Sequence, residues 1–424
     1  MVSEHASPLA ALGGVDAGGQ NVHVAELSCA LARRGHDVTV YTRRDDPALP
    51  ATTSFGPGVG LVHVDAGPAA HIPKDEMLPW MSAFADGILA HWGMKPPDVV
   101  HGHFWMSGLA SLKAAGQCID AGLQPPLVAE TFHALGTVKR RHQGDADTSP
   151  HDRAVMEPWV GQSVDMVVAT CSDEVFELKA MGVPAGSISV VPCGVDVELF
   201  QPFGPMEVRK RRYRIATIGR LVPRKGVGTA ISALALLGNL GFNDVELMVV
   251  GGIGGPGDTA NDPEARRLLD LARQLGVSDR VVMRGQLTRD QMPALLRSVD
   301  AVVCTPWYEP FGIVPLEAMA CGRPVVAAAV GGLTDSVVHG LTGLHVRPRS
   351  PHEVAQALAT ILGDPVLGRE LGEAGVRRVQ ARYTWDNVAM ATEKVYARMM
   401  LGDHPGELRD QRHESTSRME GWAQ

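Results

Sequence analysis

The sequence predicts an α/β protein built from two doubly wound, Rossmann-like domains that face each other across a cleft. Short runs of β-branched residues alternate with helical segments, and this alternation occurs once in each half of the chain. A segment with proline, glycine and basic residues separates the two halves. Alternation of this kind is typical of parallel sheets covered by helices on both faces. A length of 424 residues also fits two domains.

Composition excludes several classes of protein. A net charge of −8 argues against nucleic acid or an anionic membrane as the main partner. The chain has no apolar run of about 18 residues and no signal-peptide pattern at its start, so we predict a cytoplasmic protein without stable membrane insertion. Six scattered cysteines without zinc-ligand spacing indicate packed thiols and no metal site.

The first domain is predicted over residues 1–203. A helix is expected over residues 21–34, because Val24, Leu27 and Leu31 share one face. Buried strands are predicted at residues 37–42, 98–101, 127–132, 164–170 and 187–192.

A glycine-rich segment, GGVDAGGQN, leads into this helix. Glycine lets backbone N–H groups approach an anion at the positive end of a helix. Gly18 and Gly19 are therefore candidate hydrogen-bond donors to a phosphate. A flexible turn is the alternative interpretation. No lysine follows at the P-loop spacing, which argues against that motif.

The second domain is predicted over residues 204–384, after a linker at 200–211. Its last helix, 385–400, is expected to cross back to the first domain, and the polar residues 401–424 are expected to form a loose tail. Strands are predicted at residues 214–219, 246–252, 281–285, 301–306 and 324–330.

Two basic residues in GRLVPRKG follow the first strand of the second domain. Arg220 offers forked donors and Lys225 a compact charge, so together they could neutralise a diphosphate leaving group without a metal. The alternative interpretation is that both are solvated loop residues. For Arg224, the third basic residue of this segment, we adopt the solvated interpretation.

The segment WYEPFGIVPLEA is the most specific pattern in the chain. Gly312, Ile313 and Val314 are expected to present backbone N–H groups where a helix begins. Glu309 precedes that helix and Glu317 lies two turns inside it. One carboxylate could accept hydrogen bonds from sugar hydroxyls and the other from a ribose diol.

A third candidate comes from the first domain. His133, in TFHALG, ends a buried strand and is expected to point into the cleft. His101 and His103, which end the strand before it, are interpreted as structural or exposed.

These motifs together resemble the retaining GT-B glycosyltransferases of family four. The resemblance covers nearly the whole chain and is nearest to the branch that holds sucrose-phosphate synthases and the inositol-phosphate glycosyltransferase of mycothiol synthesis. The matching segments are GGQNVHVAELSCALARRGH, HGHFWMSGLA, TFHALG, VVPCGVD, GRLVPRKG, EPFGIVPLEAMACGRPVV and GGLTDSVVHGLTGLHV.

The resemblance implies a role for each donor-side residue. Gly19 would approach the donor phosphate, Arg220 and Lys225 would hold the diphosphate, and Glu317 would bind the ribose diol. The backbone of residues 312–314 would contact the transferring sugar.

The resemblance also implies the chemistry. Glu309 and His133 would bind the sugar near the reaction centre, and the leaving phosphate itself would deprotonate the acceptor on the same face. The rate would then come from charge stabilisation and positioning.

Acceptor residues depart from the family pattern. A lysine, a tyrosine, a threonine and an arginine hold the acceptor phosphate in the inositol-phosphate enzyme, and the corresponding residues here are Lys74, Phe104, Ala134 and Arg153. Two of the four side chains that donate hydrogen bonds to the acceptor phosphate are therefore missing. This favours another small polar metabolite, rather than a cyclitol phosphate, as the acceptor.

Other first-domain groups are candidates for acceptor contact. These are Asn21, Lys74 and the basic run 139–141. For them a solvated basic loop is the alternative interpretation.

We therefore expect a retaining, metal-independent glycosyltransferase that uses a UDP- or GDP-linked sugar, needs no cofactor and could form a homodimer. Composition suggests an actinobacterial natural-product or thiol pathway. An epimerase or hydrolase on the same fold is an alternative, but only His133 and Glu309 offer acid–base groups for it. A non-catalytic binding subunit would be expected to lack Arg220, Lys225 or Glu309, and all three are present.

Overall fold

The computed structural model describes residues 1–9, 18–252, 254–255 and 261–402, and these form two compact units. In this part of the chain, the N-terminal unit holds residues 1–9, 18–192 and 388–402, and the C-terminal unit holds residues 193–387. Most of the glycine-rich segment, residues 13–17, and the predicted tail from 403 onward lie outside the described residues.

The boundary between the units differs from the predicted one. It lies at 192/193 rather than 203/204. The reason is that Cys193, Val195 and Phe200 are buried in a core of the C-terminal unit. The last helix divides between the units, since residues from 388 onward belong to the N-terminal one.

The described strands follow the alternation that the sequence predicts, with three exceptions that are named below. In the N-terminal unit they are β1 Val38–Arg43, β2 Thr52–Phe55, β3 Val59–Val64, β4 Val99–His103, β5 Leu127–Thr131, β6 Met166–Ala169 and β7 Ile188–Val190. In the C-terminal unit they are β8 Tyr213–Ile218, β9 Val245–Val250, β10 Val281–Gly285, β11 Ala301–Cys304, β12 Val325–Ala328 and β13 Gly343–Val346.

Helices connect most of these strands. They are α1 Gly19–Arg33, α2 Met81–Trp92, α3 Trp105–Asp120, α4 Gly136–Gln143, α5 Arg153–Ser163, α6 Ser172–Ala180, α7 Val227–Asn239, α8 Pro263–Gln274, α9 Met292–Ser298, α10 Ile313–Ala320, α11 Leu333–Ser336, α12 Pro351–Gly363, α13 Pro365–Arg382 and α14 Trp385–Met400. None of the described helices is both long and apolar enough to cross a membrane.

The N-terminal unit contains a group of strands in the order β1-β3-β2 and another in the order β4-β5-β6-β7. The first residues of the chain join them, because Val2 N donates to His101 O at 2.8 Å and Ser3 N donates to Tyr41 O at 2.9 Å. Neighbouring strands run parallel except β2 and β3. β2 and β3 were not predicted, and neither was β13 of the C-terminal unit. β2 is a polar edge strand without a buried face.

The C-terminal unit contains a parallel six-stranded sheet in the order β10-β9-β8-β11-β12-β13. The change of direction falls between β8 and β11. In doubly wound sheets, ligands bind beyond the carboxyl ends of strands at such a switch point. The loops after β8 and β11 are therefore the place to look for a site in this unit.

Candidate active site

A lysine and a glutamate meet beyond the switch point of the C-terminal unit. Lys225 ends a short 3₁₀ turn after β8, and Glu309 lies in the loop after β11. The Nζ atom of Lys225 donates to Oε2 of Glu309. Their side chains are 23% and 14% exposed, so the ion pair is reachable by a ligand although most of it is shielded.

Close backbone contacts fix both loops. Gly226 has a φ of 73°, and a Cβ there would lie 1.8 Å from Thr305 O at the end of β11. Gly331 has a φ of 49°, and a Cβ there would lie 2.1 Å from Glu309 O, which also accepts a 3.0 Å bond from Gly332 N. Only glycine fits such positions without strain, so these loops are held by the sheet-end backbone rather than by side chains.

Helix α10 begins next to this ion pair. Gly312, with a φ of 85°, is its N-cap, and Ile313 and Val314 form its first turn. N–H groups in a first turn have no acceptor within their own helix. Glu317 is half-buried on the same helix, and burial raises its pKa to about 7, while the charge of Arg289 lowers that pKa.

Cys304 is a member of this site that the sequence analysis missed. It ends β11, and burial raises the pKa of its thiol to about 12, with Glu309 and Glu317 adding to the rise and Lys225 opposing it. The thiol is therefore a neutral neighbour of all three charged groups. Its scattered position in the sequence carried no signal for this, because only the sheet brings β11 beside the loop after β8.

The two arginines of GRLVPRKG occupy different environments. Arg220 is exposed in the loop after Gly219. Arg224 is half-buried, its guanidinium lies 5.2 Å from the ring centroid of Tyr308, and its carbonyl accepts a 2.8 Å bond from Trp307 N. Arg224 therefore links its loop to the segment that carries Glu309.

The N-terminal unit contains a cluster of four histidines, His23, His101, His103 and His133, which we call the histidine cluster. The rings of His101 and His103 stack with centroids 4.4 Å apart, and those of His103 and His133 stack at 5.2 Å. His23 meets His133 edge-on at 5.0 Å. His103 Nδ1 and His133 Nε2 are 3.0 Å apart and share a hydrogen bond.

Burial keeps the histidine cluster uncharged. It lowers the pKa of His23 to about 4 and lowers those of His101, His103 and His133 well below the usual range, with the neighbouring histidines adding to the effect at the last three. His101 and His103, interpreted from the sequence as structural or exposed, are buried members of this cluster. Their H-x-H spacing on a strand was a signal that both rings share one face.

The backbone is strained at the ends of β4 and β5. Phe104 has a φ of 86° and His133 a φ of 59°, values that non-glycine residues rarely adopt. Across His133, Ala134 N donates to Phe132 O at 2.7 Å, the pattern of a γ-turn. Strain of this kind collects at functional sites, so these two strand ends mark the candidate site of the N-terminal unit.

Three of the predicted acceptor residues lie together. The guanidinium of Arg153 lies 4.9 Å from the ring centroid of Phe104, and it donates to Ala134 O. Arg153 is buried and also pairs with Glu157 at 2.7 Å. Its charge is therefore already compensated inside the protein.

Two further predicted acceptor residues, Asn21 and Lys74, lie on other elements of the N-terminal unit. Asn21 is buried, accepting from Gly18 N and donating to Ser7 O, both at 2.9 Å, so it holds the start of α1, where Gly18 is the N-cap and Gly19 the first residue. Lys74 opens a short 3₁₀ turn.

The basic run 139–141 is paired rather than simply solvated. Lys139 lies 2.8 Å from Asp147, and Arg141 donates to Glu177 at 2.8 Å. Within the part of the chain that the structure describes, no group of three or more His, Cys, Asp or Glu residues is placed to hold a metal ion.

Comparison with protein families places both halves of the chain among known enzymes. Residues 17–199 match the profile described as Glycosyltransferase Family 4, and residues 204–378 match the one described as Glycosyl transferases group 1.

Relatives extend over nearly the full length. The chain is 37% identical to a D-inositol 3-phosphate glycosyltransferase of Kribbella flavida, covering 93% of this chain and 94% of that protein. It is 36% identical to a protein of the same name from Xylanimonas cellulosilytica, covering 94% and 95%.

Among solved structures, sucrose-phosphate synthase of Thermosynechococcus elongatus is similar, with a TM-score of 0.82, 30% identity and coverage of 95% and 98%. Anabaena HepE in complex with UDP and glucose shares the fold, with a TM-score of 0.69, 17% identity and coverage of 93% and 98%.

Proposed function

Because the chain belongs to the glycosyltransferases of group 1 and family 4, we propose that it transfers a sugar, with retention and without a metal, to a small polar acceptor. The donor would be a UDP- or GDP-linked sugar. The two Rossmann-like units match GT-B glycosyltransferase structures.

The Lys225–Glu309 pair beside the start of α10 is the observation that carries this proposal. This place has a cation that could bind a diphosphate and a carboxylate that could bind sugar hydroxyls. It also has backbone N–H donors at the start of a helix. Glu317 on the same helix would accept hydrogen bonds from the ribose diol, since a carboxylate has two acceptor oxygens.

The enzyme would accelerate the reaction by stabilising the negative charge on the leaving diphosphate. When the bond from the anomeric carbon to the diphosphate breaks, negative charge grows on the phosphate oxygens. Lys225, Arg220 and the N–H groups of residues 312–314 would stabilise that charge in a preorganised site. Two fixed cations supply what a bound divalent metal would supply elsewhere, which is why we propose metal independence.

Retention would follow from a same-face exchange. The anomeric carbon–phosphate bond breaks, a bond from that carbon to the acceptor oxygen or sulfur forms, and the acceptor proton moves to the leaving phosphate oxygen. No enzyme carboxylate is needed as a nucleophile. His133 would hydrogen-bond the transferring sugar as a neutral ring, consistent with its lowered pKa.

The acceptor end favours a metabolite without a phosphate. Phe104 and Ala134 offer no side-chain hydrogen-bond donor, and Arg153 is paired with Glu157 in a buried ion pair. Breaking a buried pair costs several kcal/mol, about 3–5 when one partner loses the other. Recruiting Arg153 to a phosphate would therefore weaken the fold of this unit.

A product assay with chelator tests the proposal. The purified protein would be mixed with UDP- and GDP-sugars, candidate polyols and thiols, and excess EDTA, and the product's anomeric configuration would be read by NMR. We expect a glycoside with the donor's configuration. An inverted product, an absolute need for added magnesium, or nucleotide release with free sugar alone would each contradict part of the proposal.

A further inference from the structure

The shared hydrogen bond between His103 and His133 raises a question of proton placement. A neutral imidazole carries one N–H and one bare nitrogen. Across the 3.0 Å contact, one ring must therefore donate and the other must accept. The choice decides whether the remaining nitrogen of His133, Nδ1, is a donor or an acceptor.

The contact on the far side of His103 favours one direction. Its Nε2 lies 3.4 Å from the sulfur of Met1. A thioether sulfur can accept a weak hydrogen bond but cannot donate one. The proton of His103 is therefore on Nε2, its Nδ1 is bare, and His133 must donate from Nε2.

The neighbouring ring, His101, has the same arrangement for an independent reason. Thr131 Oγ1 gives its proton to Val168 O at 3.1 Å, so it accepts from His101 Nε2 at 2.9 Å. The hydroxyl of Tyr396 then donates to His101 Nδ1 at 2.8 Å. With both outer partners fixed, the stacked pair His101–His103 holds its protons on Nε2.

We propose that His103 is a positioning residue that holds His133 in its Nε2–H form, so that Nδ1 of His133 accepts a hydrogen bond from a sugar hydroxyl. This inference rests on the proposed function, in which His133 contacts the sugar. Among the described residues, His133 Nδ1 has no hydrogen-bond partner. The turn at Phe132–Ala134 fixes the backbone that carries the ring.

The lowered pKa values of His103 and His133 agree with this assignment, because a second proton on either ring would place a charge in the buried cluster. An acceptor at Nδ1 recognises a group that can donate. It would favour a hydroxyl over fluorine or an ether oxygen at the same place on the sugar.

Nitrogen NMR of the full-length protein tests the assignment directly. With ¹⁵N-labelled histidine, long-range ¹H–¹⁵N correlations identify which ring nitrogen carries the proton, and the His133→Asn spectrum assigns the His133 signals. We expect His133 to be protonated on Nε2 in the wild type. Protonation on Nδ1 would overturn the proposal, whatever the activity of the enzyme.

Two variants separate positioning from general packing. His103→Leu removes the acceptor, so we expect the His133 signals to move toward a mixture of both forms. Tyr396→Phe is the matched control, since it removes a hydroxyl bonded to His101 but leaves the His103–His133 bond intact. An unchanged His133 signal in His103→Leu would overturn the proposal.

Kinetics then test the use of Nδ1. In His103→Leu we expect kcat/KM for sugar transfer to fall roughly tenfold, about the effect of one lost hydrogen bond. A changed proton position with unchanged kcat/KM would overturn the role of Nδ1 in sugar recognition. If the wild type transfers no sugar, the proposed function fails while the NMR result still stands by itself.

Discussion

The candidate residues of the two units rely on opposite kinds of polar interaction. In the C-terminal unit, Lys225 and Glu309 form a charged pair that a ligand can reach. In the N-terminal unit, three members of the histidine cluster are buried, His133 is half-buried, and desolvation holds the rings neutral. Charge is suited to a diphosphate, whereas neutral rings recognise hydroxyls by the direction of their hydrogen bonds. We propose that each unit is matched to one part of a nucleotide sugar.

The charged region should show the largest effect on turnover. Lys225→Ala removes the cation that would stabilise the leaving phosphate, so we expect kcat to fall about 10²–10³-fold, as for loss of one preorganised donor. Steady-state kinetics measure this, with a melting curve to check folding. Lys179→Ala, an exposed lysine on α6, is the matched control and should keep full activity. Wild-type turnover in Lys225→Ala would contradict the site assignment.

The histidine cluster should instead affect how the free energy of unfolding depends on pH. The pKa of His23 is about 4 in the folded protein against a usual value of 6.5, so the unfolded chain binds a proton in that window and the native state does not. The contribution of His23 to the free energy of unfolding is therefore fully present above about pH 6.5. It falls as pH drops toward 4, by about 1.4 kcal/mol per pH unit for one such histidine.

Urea unfolding at a series of pH values measures this slope. His23→Leu should reduce it, because one of the titrating rings is removed. His352→Gln, at an exposed histidine on α12, should leave it unchanged. An unchanged slope in His23→Leu would contradict the lowered pKa of His23.

The smallest effect is expected where the N-terminal unit meets the acceptor. Phe104→Tyr combined with Ala134→Thr returns two hydroxyls next to Arg153, so we expect transfer to D-inositol 3-phosphate to rise roughly tenfold, about the effect of one hydrogen bond to a charged group. Initial rates with this acceptor test it. Each single variant serves as the control, and no gain in the double variant would contradict the assignment of these positions to the acceptor.

Much of this could be predicted from the sequence because parallel strands and their end loops are encoded locally. Buried β-branched runs predicted the strands of both units other than β2, β3 and β13. The position of WYEPFGIVPLEA after one such run indicated that Glu309 precedes a helix, as α10 confirms. The family resemblance added the GT-B arrangement, which the comparisons confirm.

What the sequence could not determine were contacts between residues far apart in the chain. Local propensity and spacing decided the strands, the helix starts and the residue types at the strand ends. Only the tertiary structure decided that Lys225 pairs with Glu309, that Arg153 donates to Ala134 O, and that His103 shares a hydrogen bond with His133. The physical reason is that hydrogen-bond direction and desolvation depend on which groups the packed sheets bring together, and no local pattern records that.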